Sequence, residues 1–262
     1  GVSTFDESPE KWALTCALNR CMTAVVVESW PHLWLANYGE RDMPLYRQVD
    51  RVLAFDDLSK SRLIEAGFAP SQVAVTGNPE NDDLARMRAD RDRIKRSFRA
   101  ERGIGDVVWV FTYCVTNNLE KGEVDLTPSD PRWSGFSESE TIMEFLDALC
   151  RGKAADHPVA GIIRIKPGRE RAPIEKIVHV CHAEGVHIIG EEMRDGRPIL
   201  CASDLVVGTT TIMLQTASHL GVIPVSYMPR LNREDPQITN LIGVTHPLYV
   251  PGDRILSLYG LR

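Results

Sequence analysis

The sequence has no apolar run approaching the ~18 residues needed to span a bilayer, so no membrane-spanning helix is expected. Its opening residues lack a basic stretch, an apolar core and a small-residue cleavage site, so nothing in them supports export. Positive charge is not in excess either. Thirty lysines and arginines stand against 36 aspartates and glutamates, a net charge of −6 with a pI near 5.7. That balance gives no electrostatic reason to expect nucleic acid. Six cysteines (Cys16, Cys21, Cys114, Cys150, Cys181, Cys201) are scattered, mostly in apolar segments. This is the distribution of reduced, buried thiols in a cytoplasmic protein. None has the paired spacing of a zinc site, so no metal is expected, and Cys181-His182 reads as helix filler. No internal repeat, coiled-coil pattern or low-complexity tract is present.

What is present suits a soluble globular chain of 262 residues, 43% hydrophobic and 25% charged, long enough for two α/β units. The first residue is Gly1 rather than methionine, close to a strand, as expected of a processed, cloned or truncated start.

Helices and strands alternate. A helical pattern over 9–22 precedes the β-branched run 23–28, which ends in Glu28; strand ends in open α/β sheets are where ligands sit, though Glu28 could equally face solvent. An aromatic loop, 29–34, follows. A helix over 45–51, a strand over 52–55, a helix capped by Asp57 or Ser59 and ended by Gly67, and a strand over 73–76 come next. The turn Gly77-Asn78-Pro79-Glu80 leads into one long charged helix, 82–102. Leu84, Met87, Ile94 and Phe98 form its narrow apolar stripe, and its basic residues read as a solvated face. Beyond it come a strand over 107–111 and a loop over 114–136, long enough to be functional or disordered. A helix from Ser137 or Ser139 to about Arg151, a strand over 159–165 ending in Lys166-Pro167-Gly168, and a helix from Pro173 to Ala183 follow. A strand over 186–189 and a helix around Pro198 complete this part. After Tyr227 the periodicity fades. Such alternation predicts parallel sheets covered on both faces. The expected domains are 1–82, with about three strands and thus incomplete as a doubly wound unit, a connecting helix over 83–105, and 106–262 with about four strands.

One stretch suggests a ligand. Asp204 to Val207 reads as a buried strand ended by Gly208, and Thr209, Thr210 and Thr211 then open a helix to about Leu220, stopped by Gly221. Hydroxyls and unpaired N–H groups at a helix start, just past a strand's carboxyl end, can hold a phosphate. The same threonines could simply cap the helix.

Several runs resemble the superfamily of non-hydrolysing UDP-N-acetylglucosamine 2-epimerases and related GT-B glycosyltransferases. They are Arg47 to Phe55, Leu63 to Gly67, and Val75-Thr76-Gly77-Asn78-Pro79 with Asp83-Leu84, the segment that bridges two Rossmann-like domains in that family. In register with these, Val25 to Glu28 looks like the family's strand ending in an acid, and Thr112 to Asn118 like its first carboxy-domain strand and loop. Arg164-Ile165-Lys166-Pro167-Gly168 resembles the next strand end, and Thr210 to Pro224 has the layout of the Ser-Gly-Gly…Glu-Glu-Ala…Leu-Gly-x-Pro segment. The Val-Thr-Gly-Asn-Pro turn is the most specific piece, and the likeness runs from Gly1 to about Met228.

The departures point away from an epimerase. The family's catalytic histidine falls on Cys114, the arginines beside it on Val115 and Thr116, and its paired glutamates on Gln215 and Thr216. Its acidic residue ahead of Asn-Arg falls near Met43-Pro44-Leu45, where no carboxylate stands. Epimerisation needs groups that remove and return a proton. The resemblance leaves a glycosyltransferase, in which the carboxy-terminal domain binds a nucleotide-diphosphate sugar, with UDP the expected nucleotide. That arrangement needs no metal or other cofactor, because helix termini and basic side chains neutralise the leaving diphosphate. It implies a donor site of Arg164, Lys166, Gly208, Thr209, Thr210, Thr211, Gln215 and Asn118, with Glu28 as base for an acceptor hydroxyl. Arg164 and Lys166 have an equal claim to being exposed strand-end charges. A degenerate homologue that binds nucleotide or a partner without turnover, and an unrelated α/β anion-binding protein, remain alternatives, and a homodimer stays open.

Overall fold

A computed structural model describes residues 9–26, 44–54, 56–77, 80–115, 136–168, 170–190, 192–209, 211–228 and 256–259. Two units divide the chain, Gly1–Asp82 and Asp83–Arg262. The first contains helix α1 (Pro9–Ala17), strands β1 (Ala24–Val26), β2 (Arg51–Ala54) and β3 (Val73–Val75), and helix α2 (Asp57–Glu65). Its strands form a parallel sheet in the order β1-β2-β3. Leu14, Val25, Val52, Leu63, Phe68 and Val73 pack together as its core. The helix expected over 45–51 is a single helical turn at 44–46. The Arg51 amide, which would close that helix on the Arg47 carbonyl, donates instead to the Thr23 carbonyl, and the Gln72 side-chain amide takes the Arg47 carbonyl. Helix α2 is capped by Asp56 rather than Asp57 or Ser59, its carboxylate accepting the Ser59 amide at 2.6 Å. Glu28 lies outside the described residues.

Helices α3 (Glu80–Ala89) and α4 (Arg91–Glu101) stand where a single helix over 82–102 was expected. After them come β4 (Trp109–Cys114), α5 (Glu138–Ala154), β5 (Val159–Arg164), α6 (Ala172–Val180), β6 (Val186–Ile189), α7 (Arg197–Ala202), β7 (Leu205–Gly208), α8 (Met213–His219), β8 (Ile223–Met228) and β9 (Leu256–Tyr259). The six strands are all parallel, in the order β6-β5-β4-β7-β8-β9. Counted within the unit this is 3-2-1-4-5-6, the doubly wound arrangement. One sheet face buries Tyr113, Ile163, Val207 and Val225 against α5 and α6. The other buries Val110, Ile162 and Val206 against Phe98 of α4, Ile199 and Leu200 of α7 and Leu214 of α8.

Strand β4 begins two residues later than expected and runs on to Cys114, because Val107 is exposed and only from Trp109 does the ladder with β5 form. Strand β9 falls where periodicity had faded. The basic side of α4 is not simply a solvated face. Arg91 donates to the carbonyls of Cys201, Ser203 and Gly221, and Arg99, 2% exposed, donates to those of Ala202 and Val108. Lys95 and Arg99 pair with Asp204 at 2.6 and 2.7 Å. The carbonyls at the end of α7 have no partners within their own helix, and these side chains supply the donors. Nor are the cysteines uniformly buried: Cys114 and Cys201 are, whereas Cys16 and Cys21 are exposed.

Candidate functional site

In a doubly wound sheet the crevice opens at the carboxyl ends, where the strand order reverses. Here that point lies between β4 and β7, which end at Cys114 and Gly208. Gly208 sits tight against its surroundings: a Cβ built there would lie 3.3 Å from the Cys114 carbonyl oxygen and 2.7 Å from the Thr211 methyl. The missing side chain is what lets the two strand ends close up.

Arg164 ends β5 in register with Cys114. It is 8% exposed, its Nη2 donates to the Arg194 carbonyl at 3.4 Å, and its Nε has no partner among the described residues. The turn before α7 and the first residue of α8 enclose it. A Cβ on Gly196 would lie 2.7 Å from Arg164 Nε and 2.6 Å from Met213 Cε. The nearest described carboxylate on that turn, Asp195, is engaged by Arg197, which donates from Nε and Nη2 at 2.8 Å each. That hydrogen bonding holds the Asp195 carboxyl below its ordinary value against the opposing effect of burial, and Arg164 adds a smaller attraction. A buried guanidinium with an unsatisfied donor is costly, and its planar fork matches a phosphate.

Burial pushes the Cys114 thiol up to about 12, while Arg164 pulls the other way. Burial therefore favours the neutral thiol over the thiolate. Beneath it Ser203 donates to the Ile199 carbonyl at 2.8 Å, which leaves Thr112 as the donor in the 2.6 Å Thr112–Ser203 bond.

Of the residues expected to bind the donor, Arg164, Gly208 and Thr211 come together around Cys114, and Lys166 is exposed just beyond β5. Thr209 is buried, its carbonyl accepting from Ser226 Oγ at 2.8 Å. Thr209 and Thr211 do not open the helix as expected. Helix α8 begins at Met213 with Ile212 as its N-cap, and Thr211 Oγ1 accepts the Met213 amide at 3.3 Å. The Ser226 contact and the close approach at Gly208 fix the end of β7 ahead of the helix. Gln215 is half-buried on α8, with no hydrogen bond to Arg164 or Lys166 among the described residues. Thr210 and Asn118 lie outside the described residues. Sequence reasoning missed Gly196, Asp195 and Met213. Arg194-Asp195-Gly196-Arg197-Pro198 was the available signal, turn chemistry just after a strand at the sheet's carboxyl edge.

The long helix α5 offers no competing anion site. Ser137 and Glu140 form a reciprocal capping box, and Glu138 adds a second carboxylate to its first turn. Among the described residues no group of three or more His, Cys, Asp or Glu is placed to hold a metal. No helix among them is long and apolar enough to cross a membrane.

Solved structures share this architecture. HepE of Anabaena in complex with UDP-glucose is 15% identical and superposes with a TM-score of 0.51, covering 90% of this chain and 67% of that one. HepE with UDP and glucose is 18% identical, with a TM-score of 0.50 over 82% of this chain and 56% of that one. A Listeria monocytogenes protein provisionally described as a UDP-N-acetylglucosamine 2-epimerase is 15% identical, with a TM-score of 0.53 over 90% of this chain and 61% of that one. The fold is GT-B-like. At these identities the likeness is one of fold, and the chain spans 56 to 67% of the length of these structures. No protein-family model and no curated protein matches the sequence.

Proposed function

We propose that this GT-B-like chain binds a nucleotide-diphosphate sugar, with UDP as the nucleotide, and transfers the sugar to an acceptor hydroxyl without a metal. The observation that carries the reading is Arg164: a buried guanidinium with an orphaned Nε at the carboxyl end of β5, in register with Cys114, whose carbonyl Gly208 approaches. As the bond to the sugar breaks, negative charge grows on the departing diphosphate. A pre-positioned guanidinium in a dry site stabilises that charge more than the ground state, which is the condition for acceleration. Lys166 would add a second, exposed charge and the Thr211 hydroxyl a hydrogen bond. Glu28 would take the acceptor's proton. That HepE, of similar fold, was solved with UDP-glucose and with UDP and glucose supports the choice of ligand class.

A second reading, binding without turnover, is favoured by the buried, neutral Cys114 thiol at the position that the resemblance gives to a catalytic histidine. One experiment separates the readings. Melting temperature is measured against UDP, CDP, GDP, TDP and their sugar conjugates, for the native chain, Arg164→Lys and Lys166→Ala. A ligand at ~100 times its dissociation constant stabilises by about 2.7 kcal/mol. The expected result is a shift with one nucleotide class, reduced in both variants, with slow nucleotide release from its sugar conjugate. Binding without release over days would favour the second reading, and no shift across the panel would refute a nucleotide site.

A further inference from the structure

We propose that Gly196 is the positioning residue of the anion site: the space left by its missing side chain sets where the Arg164 guanidinium lies. This rests on the reading of Arg164 as the diphosphate ligand. Gly196 has φ −77 and ψ −10, ordinary right-handed backbone that alanine adopts without strain. No conformational demand therefore accounts for a glycine here, and the remaining demand is steric. A Cβ would stand 2.7 Å from Arg164 Nε and 2.6 Å from Met213 Cε, whereas ordinary contact begins at 3.4 Å.

The two neighbours differ in their freedom. Met213 Cε is the tip of a flexible side chain and moves cheaply. Arg164 is buried at a strand end, with Cys114 beside it in the sheet and the 194–197 turn against it. To admit a methyl group its guanidinium must retreat by more than half an ångström. The orphaned Nε is the atom that meets the new methyl, so the displacement falls on the group that would hold the anion. A shift of that size at a charge-assisted hydrogen bond is expected to weaken binding about tenfold. Gly196 touches no ligand in this account and acts through Arg164 alone.

The test is a double-mutant cycle read in two ways. Affinity for UDP is measured by calorimetry for the native chain, Gly196→Ala, Arg164→Lys and the double variant, with inorganic pyrophosphate as a base-free probe. In parallel, the Arg164 Nε–H signal is followed by nitrogen-15 NMR without ligand, assigned by its loss in Arg164→Lys. Gly196→Ala is expected to move that signal and to weaken UDP and pyrophosphate about tenfold. In the Arg164→Lys background, where a flexible methylene stands in place of Nε and no planar guanidinium has to shift, it should change affinity less than twofold. Met213→Ala alone should leave the signal in place, which separates displacement of Arg164 from loosening of α8. An unmoved signal, or equal losses in both backgrounds, overturns the proposal. If the native chain binds neither probe, the nucleotide site fails. Gly196 as an anion-site positioning residue then falls with it, while a moved signal would still mark its steric control of Arg164.

Discussion

Asp204 shows how much a single carboxylate can organise here. It accepts Lys95 at 2.6 Å, Arg99 at 2.7 Å and the Val110 amide at 2.8 Å, joining α4 to the first residues of β7 and β4. Burial by itself would raise its pKa, but the hydrogen bonds from Lys95, Val110 and Arg99 outweigh this and hold it below the ordinary carboxylate value. A depressed folded-state pKa contributes stability above the unfolded value near ~3.9, and that contribution is lost as pH falls through the folded value. Asp204→Asn leaves Arg99 buried with its charge uncompensated, a loss of about 3 kcal/mol at pH 7. Urea unfolding at pH 7, 4 and 3 checks this: the gap between native and variant proteins should narrow with acidification. A gap of constant size would remove Asp204 from the account. None of this was legible in the sequence. The three partners lie 94 to 109 residues from Asp204 along the chain, and the i, i+4 spacing of Arg91, Lys95 and Arg99 reads locally as a solvated stripe.

At the scale of elements, what was legible depended on whether the determinant was local. Helix α5 carries its own start signal, Ser137 with Glu140 three residues on, though it runs to Ala154, three residues past the expected end near Arg151. Helix α8 did not: three threonines looked like a cap, yet its start is set by Gly208 meeting Cys114 and by Ser226 holding the Thr209 carbonyl, both contacts across the sheet. The seat of α5 on the sheet depends on another tertiary detail. Gly161 of β5 faces Leu149, and a Cβ at 161 would collide with the Leu149 side chain and stand 3.3 Å from Val186. Gly161→Ala therefore forces α5 outwards or Leu149 off its rotamer, at a cost of about 1–3 kcal/mol. Gly152→Ala, within α5 and with only ordinary contacts to Val159, should be neutral or stabilising by up to about 1 kcal/mol. Thermal unfolding of the two variants side by side makes the comparison. Equal melting temperatures would mean that the α5 seam is looser than the packing of Leu149 implies.

For the whole molecule, the alternation of helices and strands carried the architecture, because parallel sheets need helical crossovers whatever their detail. The crevice's position follows from strand order, 3-2-1-4-5-6, and strand order is a long-range property that periodicity does not encode. Arg164, Lys166, Gly208 and Thr211, with Gly196 and Cys114 around them, all belong to the unit Asp83–Arg262. The core of the unit Gly1–Asp82 is built separately, from Leu14, Val25, Val52, Leu63 and Val73. Ligand binding stabilises what it contacts, so a nucleotide diphosphate should act unevenly on the two units. Hydrogen exchange with and without saturating UDP is expected to slow in peptides covering 109–115, 160–166 and 205–216. Peptides covering 24–26, 51–54 and 73–75 should exchange unchanged. The cation in question is buried, so raising salt from 50 to 300 mM should weaken protection far less than for a surface charge pair. Uniform protection of both sheets would contradict a donor site confined to the larger unit. Protection of its sheet alone would leave the smaller unit free to meet the acceptor, the division of labour that the proposed transfer requires.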